Sequence, residues 1–266
     1  MTLTSIFVHM DADEGAKARI DVAKSLAQRA GASLTGVFGQ RSYAEQVGTI
    51  VTWPSREYVE AVEAARALFT RATADMPATG WHDVNRGSTS EVVKEITRYA
   101  RYGDLMVIGQ PADIGNEAVP PQLAEEVTEH SGRPVLIVPH GGVFKEVGRR
   151  PLIVWNDSRE AARVLHDSLA LLEGCTEATL LSLAVSVDEA RQSCREVERY
   201  LACHGIAAKS ECHGENREGV WELVLDRIAS TGADLLVVGA HRQIGFPFVS
   251  FDVVLQEAPV PVLTAS

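Results

Sequence analysis

Short runs of apolar and β-branched residues alternate with longer stretches of helical period along the whole chain. In the first half the apolar runs are Ile6–Met10, Leu34–Phe38, Trp81–Asn85, Leu105–Gly109 and Val135–Val138. Between them, apolar residues recur every three or four positions, which predicts helices; an example is the series Ala16, Ile20, Ala23, Ala27 and Ala30. Strands without polar alternation indicate a parallel sheet that helices cover on both faces.

The second half repeats this scheme. Its predicted strands are Leu152–Trp155, Thr179–Ala184, Ala207–His213, Leu235–Gly239 and Val260–Thr264. Its predicted helices are Arg159–Leu172, Asp188–His204, Glu218–Thr231 and Val249–Glu257. Strand and helix therefore alternate in both halves, which is the pattern of doubly wound α/β domains.

The two halves also repeat in sequence. YGDLMVIGQ at Tyr102–Gln110 matches GADLLVVGA at Gly232–Ala240, so that Asp104 and Asp234 are 130 residues apart. A period of this length is that of a domain. We therefore predict two tandem, doubly wound, Rossmann-like domains, 1–143 and 149–266, each a five-stranded and mostly parallel sheet with helices on both faces. The joint is the polar stretch Gly141–Arg150.

Composition and charge exclude several classes of protein. The 266 residues contain 25 basic and 36 acidic side chains, and this net charge of −11 disfavours nucleic acid as a partner. No apolar run approaches the roughly 20 residues that span a membrane, so no membrane association is expected. Four cysteines and an N-terminus without a secretory signal predict a cytoplasmic protein.

Three pairs of segments resemble a known family. They are VHMDADEGAKA with VWNDSREAA, GDLMVIG with ADLLVVGAH, and PVLIVPH with APVPVLTAS. In this order and twice over, they resemble the universal stress protein family in its tandem, two-domain form. The resemblance implies a nucleotide-binding-like fold, assembly through the edge fifth strand and a role in surviving stress. Some members of the family bind ATP or AMP, and others bind no nucleotide.

The ATP-binding members have a phosphate loop, Gly-x2-Gly-x9-Gly-Ser/Thr, after the fourth strand. Its glycines let backbone amides approach phosphate oxygens at a helix N-terminus. In the first half Gly109 is present, but the three further positions are Ala112, Gln122 and Leu123. In the second half Gly239 is followed by Arg242, Asp252 and Val253.

Counting back from the final strand gives the same result. Pro121–Gln122 and Phe248–Val249 then stand where Gly-Ser is required. Both halves lack the loop from both directions, so we expect no cofactor.

The resemblance still identifies candidate ligand-facing residues. It places Asp11, after the first strand, where the carboxylate of binding members faces the nucleotide ribose, and it gives this place to Asn156 in the second half. Asn156, Asp157 and Ser158 also form a helix-capping start, the interpretation we favour. The alternative function is an ATP or AMP sensor, or a weak ATPase, whose site in the second half is lined by Gly239, His241 and Arg242. It predicts that Arg242→Glu abolishes nucleotide binding.

Metal and catalytic motifs are weak. The Cys203–His204 and Cys212–His213 pairs are separated by a predicted strand, roughly 20 Å, which is too far for one zinc ion. A redox role for Cys212 is the alternative to an ordinary free thiol. An isolated His9 on the first strand is typical of a core residue. The Gly39–Ser55 connection, which contains Trp53, is expected to be an ordered loop whose Trp packs on the following helix.

These observations together predict a non-catalytic stress-response module. Its two degenerate nucleotide-binding-like domains would serve regulation or interaction, and the protein would not be an enzyme. The apolar segments PVLIVP and PVPVLTA supply edge strands for pairing within the chain and for a homodimer.

Overall fold

Alternating strands and helices build two units of the same design. The computed structural model describes residues 2–111, 118–183, 186–213, 219–240 and 250–266. The chain divides into the units Leu3–Val143 and Phe144–Ser266. Among the described residues, no helix is both long enough and apolar enough to span a bilayer.

The first unit contains seven strands and four helices among its described residues. In chain order they are β1 (Ser5–Met10), α1 (Ala16–Ala30), β2 (Ser33–Phe38), β3 (Glu45–Val47), β4 (Ile50–Thr52), α2 (Arg56–Ala72), β5 (Thr79–Asp83), α3 (Thr89–Ala100), β6 (Leu105–Gly109), α4 (Leu123–Ser131) and β7 (Val135–Val138). Five of these strands form a parallel sheet in the order β5-β2-β1-β6-β7. The chain moves outward from β1 in one direction and then in the other, so the strand order reverses between β1 and β6.

The second unit has the same order of elements without the small hairpin. Its elements are β8 (Pro151–Trp155), α5 (Arg159–Ser168), β9 (Ala178–Leu183), α6 (Val187–Cys203), β10 (Ala208–His213), α7 (Val220–Thr231), β11 (Leu235–Val237), α8 (Phe251–Glu257) and β12 (Val262–Thr264). Its strands are again parallel, in the order β10-β9-β8-β11-β12. The reversal point lies between β8 and β11.

The apolar pattern explains the sheets. Every residue of β6, β7 and β8 is buried, as expected for strands covered on both faces. Helix α3 begins with a capping box in which Ser88 Oγ accepts from the Glu91 N–H at 3.3 Å and Glu91 Oε2 accepts from the Ser88 N–H at 3.2 Å. All ten sheet strands that the sequence predicts are confirmed to within a few residues.

The Gly39–Ser55 connection differs from the prediction. It contains the antiparallel hairpin β3–β4, whose strands have only three residues each. The Trp53 ring that follows it packs on Gly87, where an added Cβ would lie 2.6 Å from the ring, in the loop before α3. Trp53 therefore contacts the loop before α3, a segment that the sequence did not suggest.

Two aspartates show that the units repeat in detail. The Asp104 carboxylate accepts hydrogen bonds from the N–H groups of Thr4 and Ser5 at 2.8 and 3.0 Å. The Asp234 carboxylate accepts from the N–H groups of Arg149 and Arg150, each at 3.1 Å. Each aspartate, just before the fourth sheet strand of its unit, therefore fixes the start of the first strand.

Candidate functional site

The first candidate site lies at the carboxyl ends of β1 and β6, where the strand order of the first unit reverses. Asp11 is the residue after β1, and Gly109 is the last residue of β6. Both line a cavity of about 20 Å³, together with Arg19 of α1 and Leu123 of α4. The fold thus brings Asp11 and Gly109 together at the place that the strand order predicts.

Arg19 occupies the space in front of Asp11. Its Nη2 lies 2.5 Å from Asp11 Oδ1, and the two side chains are only 2% and 3% exposed. Asp11 Oδ1 also accepts from the Asp13 N–H at 2.9 Å. Burial alone would raise the pKa of Asp11, but the charge of Arg19 and these hydrogen bonds outweigh burial and hold the pKa below its ordinary value. Asp11 is therefore an ionised carboxylate that the protein neutralises internally.

Gly109 makes room for the guanidinium of Arg19. A Cβ built on Gly109 would overlap with Nη1 of Arg19. The glycine therefore allows close approach, as in a phosphate loop, but the group that approaches is an arginine of the same chain. Another atom of this side chain, Nε, is buried without a hydrogen-bond partner among the described residues.

His9 is the third member of the buried cluster. Its Nε2 lies 2.7 Å from the carbonyl oxygen of Gly39, and its Nδ1 lies 3.6 Å from Asp11 Oδ2. Since a carbonyl only accepts, Nε2 carries the proton and donates it to Gly39. Burial lowers the pKa of His9, and the charge of Arg19 adds to this, while the Asp11 carboxylate opposes it. The cluster at neutral pH is an ion pair beside a neutral imidazole, and His9 is a core residue, as the sequence indicated.

The cavity beside this cluster is small. A volume of about 20 Å³ holds about one water molecule. Pockets for ligands of nucleotide size have volumes of about 300–1,000 Å³. Pro120 and Pro121 form part of its wall, and His140 closes it from the end of β7, with Nε2 lying 3.1 Å from the Pro111 carbonyl oxygen.

The start of α4 contributes apolar surface to this wall. Gln122 is the N-cap of α4 but makes no side-chain capping bond, and Leu123 is buried against the cavity. A phosphate loop would place glycine and a hydroxyl here. Ala112, another position in that comparison, lies outside the described residues.

The strand register shows which residue of the second unit corresponds to Asp11. Ile6 is opposite Leu105 in the β1–β6 pair, and Pro151 is opposite Leu235 in the β8–β11 pair. This register makes Asn156 the counterpart of Asp11, the assignment made from the sequence.

Asn156 is used in the start of a helix. Its Oδ1 accepts from the Ser158 N–H at 3.2 Å, and Ser158 Oγ accepts from the Ala161 N–H at 3.1 Å. A Cβ on Gly239 would lie 2.6 Å from the backbone nitrogen of Ala161 and 2.6 Å from the carbonyl carbon of Glu160. The backbone of α5 itself therefore covers Gly239, and the helix-capping interpretation of Asn156 is confirmed.

The remaining predicted residues, His241 and Arg242, lie outside the described residues. The residue that sequence reasoning missed is Arg19. It is the one charged side chain among the buried residues of α1, which are Ala16, Arg19, Ile20, Val22, Ala23, Leu26 and Ala27. A charge on the apolar face of an amphipathic helix was the signal available, since a buried charge requires a partner. Among the described residues, no three His, Cys, Asp or Glu side chains are grouped so as to hold a metal ion.

Comparison with known proteins identifies the fold. No protein-family model matches the chain, and no curated protein matches it either. A universal stress protein from Archaeoglobus fulgidus DSM 4304 superposes over 100% of this chain and 97% of that chain, with a TM-score of 0.74 and 15% sequence identity. The fold is that of a universal stress protein.

Two further solved structures with this fold correspond to about half of the chain. A protein of the universal stress protein family from Burkholderia pseudomallei covers 52% of this chain, and 96% of its own length is matched, with 22% identity and a TM-score of 0.37. A universal stress protein in complex with cAMP covers 53% of this chain over 100% of its own length, with 16% identity and a TM-score of 0.36.

Proposed function

We propose that this protein is a cytoplasmic stress-response protein that acts without catalysis, as a regulatory or interaction module whose two nucleotide-binding-like clefts no longer take ATP. The observation that carries the proposal is the ion pair between Arg19 and Asp11, which fills the cleft of the first unit. An adenine nucleotide would have to displace Arg19 and leave the Asp11 carboxylate next to phosphate or ribose. Separating a buried ion pair in this way costs about 3–5 kcal/mol, which opposes binding.

The second cleft supports the same proposal by another route. The backbone of α5 covers Gly239, and the Asn156 side chain is engaged in the turn before that helix. Gly239 cannot approach a ligand without a shift of that helix, and the Asn156 oxygen already accepts a hydrogen bond. The alternative, a nucleotide sensor in the second unit, would therefore depend on His241 and Arg242.

The absence of catalysis is part of the proposal. His9 is neutral and buried, its Nε2 proton is donated to Gly39, and Asp11 is neutralised by Arg19. A general base needs both access to substrate and a free lone pair near it. His9 and Asp11 are both buried and lack that access in this arrangement, which favours a structural role for both.

An exposed apolar surface supports the interaction role. The β3–β4 hairpin and its flanks leave Tyr43, Ile50, Val51 and Trp53 at least half exposed, with Ile50 at 65%. Large exposed apolar side chains gathered on one short segment of the chain favour an interaction site there. We therefore expect a protein partner, as well as a second copy of this chain in a homodimer formed through the domain edges.

Nucleotide titration tests the proposal. The purified full-length protein would be examined by native mass spectrometry for co-purified nucleotide and then titrated with ATP and with AMP in a calorimeter. We expect no bound nucleotide and no saturable heat. A dissociation constant in the micromolar range would overturn the proposal, and its loss in Arg242→Glu, with retention in the exposed control Arg191→Glu, would establish the sensor alternative.

The homodimer is tested separately. Sedimentation velocity over a range of concentrations gives the mass of the assembled species, and we expect twice the chain mass of 28.8 kDa. A monomer mass at all concentrations would contradict the homodimer without affecting the proposal about the clefts.

A further inference from the structure

Two thiols of the second unit are in contact. Cys194 lies on α6 and Cys212 on β10, and the Cys212 thiol donates a hydrogen bond to the Cys194 sulfur at 3.4 Å. Cys194 is 1% exposed, whereas Cys212 is half-buried. Cys203, on the same helix as Cys194, is exposed. The contact therefore joins a buried cysteine to a half-buried one.

The fold places Cys194 and Cys212 at equal distances from the turn that joins α6 to β10. The chain reverses between the end of α6 at Cys203 and the start of β10 at Ala208. Cys194 lies nine residues before the helix end, about 13 Å at 1.5 Å per residue. Cys212 lies four residues after the strand begins, also about 13 Å at 3.3 Å per residue. The distances from the turn are equal, so the pairing follows from the packing of α6 on β10.

A buried hydroxyl accompanies the two thiols. Ser182 of β9 is opposite Cys212 in the strand register, is 2% exposed, and forms a hydrogen bond with Cys194. A hydroxyl donor beside sulfur favours the ionised form. The surroundings of the pair are therefore partly polar, unlike those of a cysteine that only fills core volume.

We propose that Cys194 and Cys212 form a reversible intramolecular disulfide when the protein meets a hydroperoxide. The two sulfurs must approach from 3.4 Å to the bonded distance of about 2.05 Å. A shift of about 0.7 Å by each sulfur closes this gap. The inference concerns the second unit alone and goes beyond the proposed function, on which it does not depend.

The oxidation needs only the peroxide. The Cys212 thiolate attacks one oxygen of the hydroperoxide, the O–O bond breaks, and the other oxygen leaves and takes a proton as water or an alcohol. The product is a sulfenic acid on Cys212. The Cys194 sulfur then gives up its proton and attacks the Cys212 sulfur, and the hydroxyl leaves as water. Two thiols lose two electrons and two protons in total, and the peroxide is reduced.

Access assigns the two roles. Cys212 is the more exposed of the two residues and Cys194 is buried, so we assign the reaction with peroxide to Cys212. Burial raises the pKa of Cys194 to about 12. Cys194 therefore stays a thiol until the neighbouring sulfur is oxidised, and it then resolves the sulfenic acid.

Peptide mapping tests the inference. The fully reduced full-length protein would be treated with equimolar hydrogen peroxide, quenched with an alkylating agent, and analysed as intact protein and as peptides. We expect a loss of about 2 Da, two hydrogen atoms, a linked peptide pair containing Cys194 and Cys212, and full reversal by dithiothreitol. Four free thiols after treatment, or a disulfide with another partner, would overturn the inference.

Serine variants test the assigned roles. Cys194→Ser should accumulate a sulfenic acid on Cys212 that dimedone traps, and Cys212→Ser should leave Cys194 unmodified. Cys203→Ser, on the exposed face of α6, is the matched control and should form the linked pair as the parent does. Dimedone labelling of Cys194 in Cys212→Ser would reverse the assignment. The mapping of the unmodified chain does not depend on whether any variant folds.

Discussion

At the scale of residues, the central feature is a buried ion pair at the carboxyl ends of β1 and β6. Arg19 and Asp11 are both almost fully buried, and one Arg19 nitrogen has no hydrogen-bond partner among the described residues. Burying two charges costs several kcal/mol per ion, which the attraction of a close pair offsets. Removing one partner leaves the other charge buried and unpaired, so the pair acts as a lock on the cleft.

The first prediction concerns this lock. Arg19→Met should lower the free energy of unfolding by about 3–5 kcal/mol, because Asp11 is left as an isolated buried charge. The double variant Arg19→Met/Asp11→Asn should recover a large part of this loss. Urea denaturation of both single variants and the double variant gives the coupling energy.

Lys17→Met provides the control for this cycle. Lys17 lies two residues earlier on α1 and pairs with Asp21 on the surface, with 70% and 52% of the two side chains exposed. Such an exposed pair contributes about 0–1 kcal/mol. Equal losses in Lys17→Met and Arg19→Met would mean that Arg19 is not locked to Asp11.

The second prediction is a pH dependence from His9. Its pKa in the folded protein lies below the ordinary value of 6.5, so the unfolded chain binds a proton that the folded protein does not take up. Stability is therefore lost as the pH falls below 6.5, by up to about 1.4 kcal/mol per pH unit for this one proton. His9→Gln, which keeps an N–H donor for Gly39, should reduce this slope.

His130→Gln is the control for the pH measurement. His130 is 59% exposed and lies on the surface of α4. Urea denaturation from pH 5 to 8 should give the slope of the parent protein for this control. A slope unchanged in His9→Gln would show that His9 is protonated in the folded state.

Part of the residue-scale account could be predicted from the sequence. Asp11 and Gly109 follow from the strand order, which places the ends of β1 and β6 together. Arg19 could not be found from the family resemblance, because the resemblance assigns no role to its position. Its position among the apolar residues of α1 did carry the information, but helical periodicity alone does not say which partner a buried charge will meet.

At the scale of elements, the two clefts differ in the length of one connection. Five residues separate β1 from α1, whereas three separate β8 from α5. The longer connection leaves space that the Arg19 side chain fills. The shorter one is associated with close contact between the backbone of α5 and Gly239. One cleft is thus closed by a side chain and the other by a helix.

The third prediction compares the glycines at these two places. Gly109→Ala and Gly239→Ala should each destabilise the protein by about 1–3 kcal/mol, because the added methyl overlaps with Arg19 in one and with the backbone of α5 in the other. Gly141→Ala has no atom within 4 Å of the added methyl and should change stability by less than about 0.5 kcal/mol.

The two glycines are distinguished by combination with Arg19→Met. The Gly109→Ala and Arg19→Met losses should be less than additive, because both displace the same guanidinium. The Gly239→Ala and Arg19→Met losses should add, because the two residues belong to different units. Urea denaturation of the four variants and two combinations measures both. Additivity in the first combination would contradict the placement of Arg19 against Gly109.

The contact between Cys194 and Cys212 is an element-scale feature that sequence reasoning missed. The adjacent Cys-His pairs are too far apart for one metal ion and do not indicate this contact. Its signal is that Cys194 and Cys212 lie at equal distances on either side of the α6–β10 turn. That signal needs the helix and the strand to be adjacent, which the order of elements indicates but their periodicity alone does not.

At the scale of the whole molecule, the same order of strands and helices occurs in both units. Asp104 and Asp234, found from the sequence repeat, hold the first strand of their own unit in the same manner. The sheet strands were predictable because each is a run of buried apolar residues. The β3–β4 hairpin was not, because Ile50, Val51 and Thr52 of its second strand are all exposed and leave no buried pattern.

The fourth prediction tests the repetition of the two units. Asp104→Ala should raise hydrogen exchange about tenfold at the amides of Thr4 and Ser5, and Asp234→Ala should do so at Arg149 and Arg150, since each loses an acceptor worth about 1–2 kcal/mol. Asp75→Ala, which removes an exposed carboxylate paired with Lys24, should leave all four amides unchanged. If the exchange rates of these amides changed equally in all three variants, the two aspartates would not hold the first strands of their units specifically.

The measurement that tests the central claim most directly is a crystal structure of the full-length protein grown with millimolar ATP. The account predicts that the Arg19 guanidinium lies on the Asp11 carboxylate, that Gly109 remains in contact with Arg19, and that no nucleotide occupies the cleft of the first unit. An ATP molecule in that cleft, with Arg19 turned away from Asp11, would contradict it.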